Sequence, residues 1–348
     1  MPEPTHPVID AAERFRAAAL ARERATANDL VRTYARIWQR LQDEVKVIES
    51  LPIATGTNAA RLRAVKSLSA QVEQQVSQWA VYADQTISDA ALREIRFGLG
   101  DSSRLVQAYF QNPRAQAALA ARFDQLVPEQ VETMLGFLAD DSPLHDALVN
   151  KLGPELAKRM GDALSEGIGL GYNPRQIAAL ARAEFGVGLQ WALTTSRTAQ
   201  VWSYREASRQ NYMANADVVI SWEWMASLGP RCCLSCVNMH GTKHDVTEVL
   251  NDHHNGRCVA LPIVPLASKL GVKQPQLEDG EEWFRRQPVG VQKSMMGPSK
   301  WHAWQDGAIE FSDLTHKHDD PVYGEMLTEA SLVSLLGENA KAYYKVHP

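Results

Sequence analysis

Residues 230–262, PRCCLSCVNMHGTKHDVTEVLNDHHNGRCVALP, hold all four cysteines of the chain and four of its ten histidines. Few folds make use of thiols crowded in this way. Three of the four lie in CCLSC, too close together to staple distant segments as a disulfide framework does. Metal coordination suits the spacing better. Cys233 and Cys236 form a C-x2-C knuckle whose thiolates can converge on one ion, and His253 and Cys258, beyond an intervening loop, can complete a closed tetrahedral set. A Cys3His set is a structural zinc set. On the residues alone two other readings stay open: a catalytic metal site with an open coordination position, and small buried core residues, a common role for free cysteine. Cys232 could replace Cys233, although the x2 spacing makes the better knuckle, and His254 could replace His253.

The flanks of this segment read as strands. In DVVISWEWMAS the pattern has period two, with Ile220, Trp222 and Trp224 on one face and Ser221 and Glu223 on the other. RCVALPIVP at 257–265 is an apolar run bounded by Gly256 and by prolines. If the two strands pair, the residues just after the first and just before the second meet at one end of the ladder, as a metal clip requires.

Upstream the period is helical. Leu30, Tyr34, Ile37, Leu41 and Val45 fall three or four apart and share one face of a long helix. LPIATGTN at 51–58 breaks that helix, and an Ala/Gln-rich stretch resumes the pattern through 59–92. FGLGDSSR at 97–104 and ADDSPLHD at 139–146 read as further junctions, with Asp or Ser available as caps. LGYNPRQIAAL at 170–180 is a start signal: Asn173 can cap, Pro174 suits the first helical position, and Gln176 can reach back to the cap. A helix is then expected from about 187 to 214. With 45% apolar residues the chain can bury one or two cores without help from a metal. The expected fold class is mainly α: an extended helical domain over 1–165, a small zinc-stapled α+β domain over 166–268, and a C-terminal tail of short helices over 269–348.

Charge is informative mainly by exclusion. A formal net charge of −5 provides no global field to gather nucleic acid, and the balance is even up to residue 210, with the acidic excess beyond it. The basic cluster RLRAVK at 61–66 reads as a solvated helix face. The N-terminal MPEPTHPVIDAAERF carries acids where a signal peptide carries bases, and no run approaches the roughly 18 apolar residues of a membrane span. A soluble, non-secreted protein without a membrane partner is expected.

Taken in order, five stretches resemble the phage head morphogenesis family, the Mu F-like minor head proteins. They are GYNPRQIA at 171–178, SRTAQ at 196–200, ISWEW at 220–224, RCCLSCVNMHG at 231–241 and HHNGRCV at 253–259. The stretch EEWFRRQPVGVQKSMMGPSKWHAWQDGAIEFSDL at 281–314 is similar to the tail such proteins carry. The resemblance makes residues 166–268 the head morphogenesis module. It also carries over the metal set Cys233, Cys236, His253 and Cys258, and transfers no catalytic nucleophile. Two positions depart from the pattern: Ala199 stands where the family usually has Glu, and Gly256 stands where many members have the first cysteine of a C-R-C turn.

The resemblance implies a minor head protein of a tailed phage or prophage, bound to the portal protein. Such a protein would take part in head assembly, and in DNA packaging or ejection, with capsid or scaffolding protein and packaged DNA as further partners. It would reside in the virion, in the head interior or at the portal vertex, and in the host cytoplasm during assembly. The implied ion is structural zinc. A rival from another class is a metal-dependent nuclease of the HNH type, in which His240, Asp252 and His254 of HGTKHD and NDHHN would activate water and hold a metal against phosphate.

Overall fold

The computed structural model describes residues 6–49, 58–121, 123, 134–169 and 174–346. The chain is mainly helical: α1 spans Pro7–Glu49, α2 Asn58–Gln107, α3 Pro113–Ala120, α4 Gly153–Gly169 and α5 Pro174–Ala214. No helix among the described residues is long and apolar enough to cross a membrane. The residues group into two compact units that are discontinuous in sequence, one formed by 20–93 with 135–200 and the other by 1–19, 94–134 and 201–348.

The first unit is built from helical stripes. Leu30, Tyr34, Ile37 and Leu41 of α1 are buried as their spacing predicts, while the side chain of Val45 lies outside the described residues. On α2 the stripe is Leu68, Val72, Val76, Trp79, Ala83 and Ile87. Tyr34 stacks on Phe185 at 3.6 Å and meets Trp79 edge-on at 4.8 Å, so three helices share one aromatic centre. Ser142 caps the turn Pro143–His145 by accepting from the His145 amide, the role expected of ADDSPLHD. The break expected at 51–58 falls almost wholly on residues outside the description, as does the cap residue Asn173. The side chains of 61–66 also lie outside it. Pro174 is the first residue of α5, and the helix expected over 187–214 is the C-terminal part of that longer element.

FGLGDSSR is not a junction. Helix α2 runs straight through it to Gln107, because its turn-forming residues are used against α5 within the second unit. Gly98 faces the Tyr204 carbonyl, which a Cβ would approach to 2.3 Å. Ser102 donates to Leu99 O within α2, Asn211 of α5 donates to Ser102 Oγ at 2.8 Å, and Tyr204 donates to Asp101 at 3.2 Å. Polar side chains that would otherwise break a helix are satisfied by the neighbouring helix instead.

After α5 the second unit forms its sheet. Strand β1, Ser221–Met225, lies between β2, Lys243–Asp245, and β3, Val259–Ile263, both antiparallel to it. The expected pairing of β1 with β3 is present, with Met225 opposite Val259 at the end where the Cys/His segment leaves and returns. Both faces of β1 are covered. Trp222 and Trp224 pack with Leu250, Leu327, Cys236 and Cys258. On the other face Met225 joins a core with Val8, Leu105, Tyr109, Tyr212 and Leu261. Glu223, expected on a polar face, is therefore buried, whereas Ile220, before the strand, is 52% exposed. Beyond β3 the tail has the short helices expected of it, at Gly280–Arg285, Val289–Met296 and Pro298–Gln305. It also carries an unanticipated hairpin of β4, Thr315–Asp320, and β5, Gly324–Glu329.

Candidate metal centre

The knuckle is a helix start. Cys233 is the N-cap of α6, Leu234–Met239, and its sulfur accepts from the Cys236 amide at 3.3 Å. With the x2 spacing Cys236 falls in the first turn, so both sulfurs sit at the helix N-terminus, where the backbone amides favour thiolate. The return half comes from the loop between β2 and β3. His253 Nε2 lies 2.9 Å from Cys233 Sγ and 3.4 Å from Cys236 Sγ. Cys258, one residue before β3, has its sulfur within 4.8 Å of the Cys236 sulfur and is 2% exposed.

The structure brings Cys233, Cys236 and His253 into one group and Cys258 into a second that shares Cys236. The ligand atoms of Cys233, Cys236 and His253 lie within 4.8 Å of one another, and so do those of Cys236, Cys258 and Asp252. Cys236 is the shared corner. This donor set can hold a metal ion: it is rich in sulfur, largely buried, and its imidazole is already oriented. His253 Nδ1 lies 2.7 Å from the His254 carbonyl, which can only accept, so Nδ1 carries a proton and Nε2 faces the sulfurs. The hydrogen bonds from Cys236 and His253 pull the Cys233 thiol down to about 5, against its burial. The same contact with Cys233 raises His253 to about 9. Cys236, as donor to Cys233, is pushed up. A cation bound here would displace these protons, so binding and proton release are linked.

The two possible substitutes play other parts. Cys232 falls outside both ligand groups, and burial raises its pKa. His254 turns to the hairpin, with Nε2 2.9 Å from Asp320 Oδ2 and its ring edge-on to Tyr323.

Sequence reasoning missed the support of the loop. Arg205 of α5 clamps Asp252 through both carboxylate oxygens and donates from Nε to the Cys258 carbonyl at 2.8 Å. Asp252 Oδ2 also accepts from the Cys258 amide at 3.4 Å. Gly256 is tied to this arrangement, since a Cβ there would lie 2.0 Å from the Asp252 carboxylate. The absence of a cysteine at 256 thus has a steric counterpart: the Asp252 carboxylate fills that space. An aspartate next to His253 could have been flagged from the sequence. Arg205 could not, for it is 47 positions from Asp252 and its role exists only once α5 packs beside the loop.

His240, Asp252 and His254 do not converge. His240 is buried and its Nδ1 accepts from the Ala226 amide at 2.9 Å, and burial lowers its pKa to about 4. Asp252 is held by Arg205, and His254 by Asp320. His244, also in this segment, stacks on Trp222 at 4.3 Å and pairs with Glu248. Compared with known protein families, with curated proteins and with solved structures, the chain matches none.

Proposed function

We propose that this chain is a minor head protein of a tailed phage or prophage, associated with the portal protein, in which a structural zinc ion staples the small sheet. The observation that carries this reading is the grouping of Cys233, Cys236 and His253, with Cys258 joined to them through Cys236, at the end of the β1/β3 ladder. These are the positions at which the resemblance to the head morphogenesis family places its metal set. Three thiolates and an imidazole form a closed tetrahedral set for zinc, which leaves no position for water or phosphate. A centre of that kind folds a loop and does not activate a nucleophile. The long helices α1, α2 and α5 supply extended surfaces suited to a protein partner, and the even charge of the first 210 residues argues for protein contacts ahead of nucleic acid.

The test has two arms. Purified reduced protein should contain one zinc ion per chain by elemental analysis and should co-sediment with assembled portal rings. Supercoiled plasmid in Mg2+ or Mn2+ should remain intact. Nicking that disappears in His240→Ala or His254→Ala, with the zinc retained, would replace this reading by the nuclease. Failure to bind portal would remove the head assignment while leaving the metal centre to be judged by its zinc content.

A further inference from the structure

Among the described residues, Asp252 is the one carboxylate grouped with the sulfurs, its oxygen lying within 4.8 Å of those of Cys236 and Cys258. It is 2% exposed, so bulk water does not compete for it. A buried carboxylate at that range is a natural ligand for a divalent ion unless another cation already holds it. It would also change which ion fits. Oxygen donors suit Mg2+ or Mn2+ in octahedral geometry, whereas thiolates with imidazole suit zinc in tetrahedral geometry.

The cation that holds it is Arg205 of α5, whose side chain is 10% exposed. Nη1 donates to Oδ1 of Asp252 and Nη2 to Oδ2 at 2.8 Å, so the fork is bidentate and engages both oxygens. The remaining donor, Nε, reaches the Cys258 carbonyl at 2.8 Å. Asp252 Oδ2 accepts in turn from the Cys258 amide at 3.4 Å. Both backbone polar groups of Cys258 are therefore held by this ion pair, one residue ahead of the pairing of Val259 with Met225. Gly256, where a Cβ would run into the same carboxylate, leaves room for the placement. One guanidinium thus engages a hard donor and fixes the backbone of a soft one.

We propose that Arg205 is the positioning residue that sets the metal specificity of the Cys/His centre, by keeping the Asp252 carboxylate out of the ligand set and presenting Cys258 as the fourth donor. The proposal rests on reading Cys233, Cys236, His253 and Cys258 as a metal site. Without Arg205, Asp252 is a buried charge that has lost its partner, and an ion bound to the sulfurs is the cation within its reach. The centre then gains an oxygen donor and loses its preference for four-coordinate, thiophilic ions.

The experiment uses the full chain. X-ray absorption at zinc in the wild type should show three sulfur donors and one light donor; two sulfurs with two or more light donors would overturn the proposal without recourse to any variant. Arg205→Met should lower the preference for Zn2+ over Mn2+ by about 10–100-fold, the size of effect that outer-shell partners have on metal affinity. With Co2+, the intense ligand-field bands of a tetrahedral site should fade in Arg205→Met as the carboxylate enters. They should return in Arg205→Met/Asp252→Asn, whose amide carries no charge to draw it to the ion. A wild-type Co2+ spectrum and an unchanged ion preference in Arg205→Met would overturn the proposal and leave Arg205 a support of the loop only. Bands that stay faded in the double variant would overturn it as well. A wild-type chain that takes up neither zinc nor Co2+ would overturn the metal reading itself, which the other outcomes leave standing.

Discussion

At the scale of single residues, the informative positions are those whose chemistry conflicts with their surroundings. Glu223 is the clearest. Burial on β1 raises its carboxyl from 4.5 to about 7, against the pull of Lys243 across the strand, and its Oε2 has no hydrogen-bond partner among the described residues. The folded chain therefore holds a proton that the unfolded chain releases as pH rises from 4.5 to about 7, so stability falls across that window and levels off above it. Glu223→Gln keeps the shape and removes the ionisation. Its stability should equal that of wild type near pH 4 and exceed it at pH 8 by up to about 3 kcal/mol. Thermal unfolding of both proteins at the two pH values checks this, and a variant less stable at pH 8 would refute it. The sequence marked Glu223 only as the polar half of an alternating strand. Its burial depends on Tyr109, Leu261 and Met225 covering that face, which the strand pattern cannot register.

At the scale of elements, the same residue type reads differently according to its neighbour. Gly98 and Gly100 both lie within α2, and in sequence both weaken a helix equally. In the fold, a Cβ on Gly98 would meet the Tyr204 carbonyl at 2.3 Å, while one on Gly100 has nothing closer than Arg104 Nη1 at 3.9 Å. Gly100→Ala should therefore stabilise the chain by about 1 kcal/mol through helix propensity. Gly98→Ala should destabilise it by about 2 kcal/mol or more, since the backbone of α5 has to move. Equal melting temperatures for the two variants would show that α2 and α5 are not in backbone contact at Gly98. The Cys233/Cys236 knuckle was legible because both of its requirements are local: a C-x2-C spacing and a helix start at Cys233. The clamp of Arg205 on Asp252 was not, since it joins α5 to a loop.

At the scale of the whole molecule, the two compact units should respond separately to metal removal. Cys236→Ser removes the ligand shared by both donor groups, so the sheet and its loops should lose protection in hydrogen exchange. Helical segments within 20–93 and 135–200 have their own core around Tyr34, Trp79 and Phe185 and should keep theirs. Collapse of the entire helical signal would contradict this division. The sequence by itself determined the helical character of most of the chain, the strands on either side of the Cys/His segment and a Cys/His group that could hold a metal ion. Each of these is written in a short-range period or spacing that the backbone must obey. Only the tertiary structure decided that α2 continues through FGLGDSSR, that Glu223 is buried, that Asp252 fills the space beside Gly256, and that Arg205 holds both Asp252 and the Cys258 carbonyl. These outcomes depend on which distant groups share a low-dielectric interior, where an unpaired charge or amide is costly and a neighbour far along the chain supplies the partner.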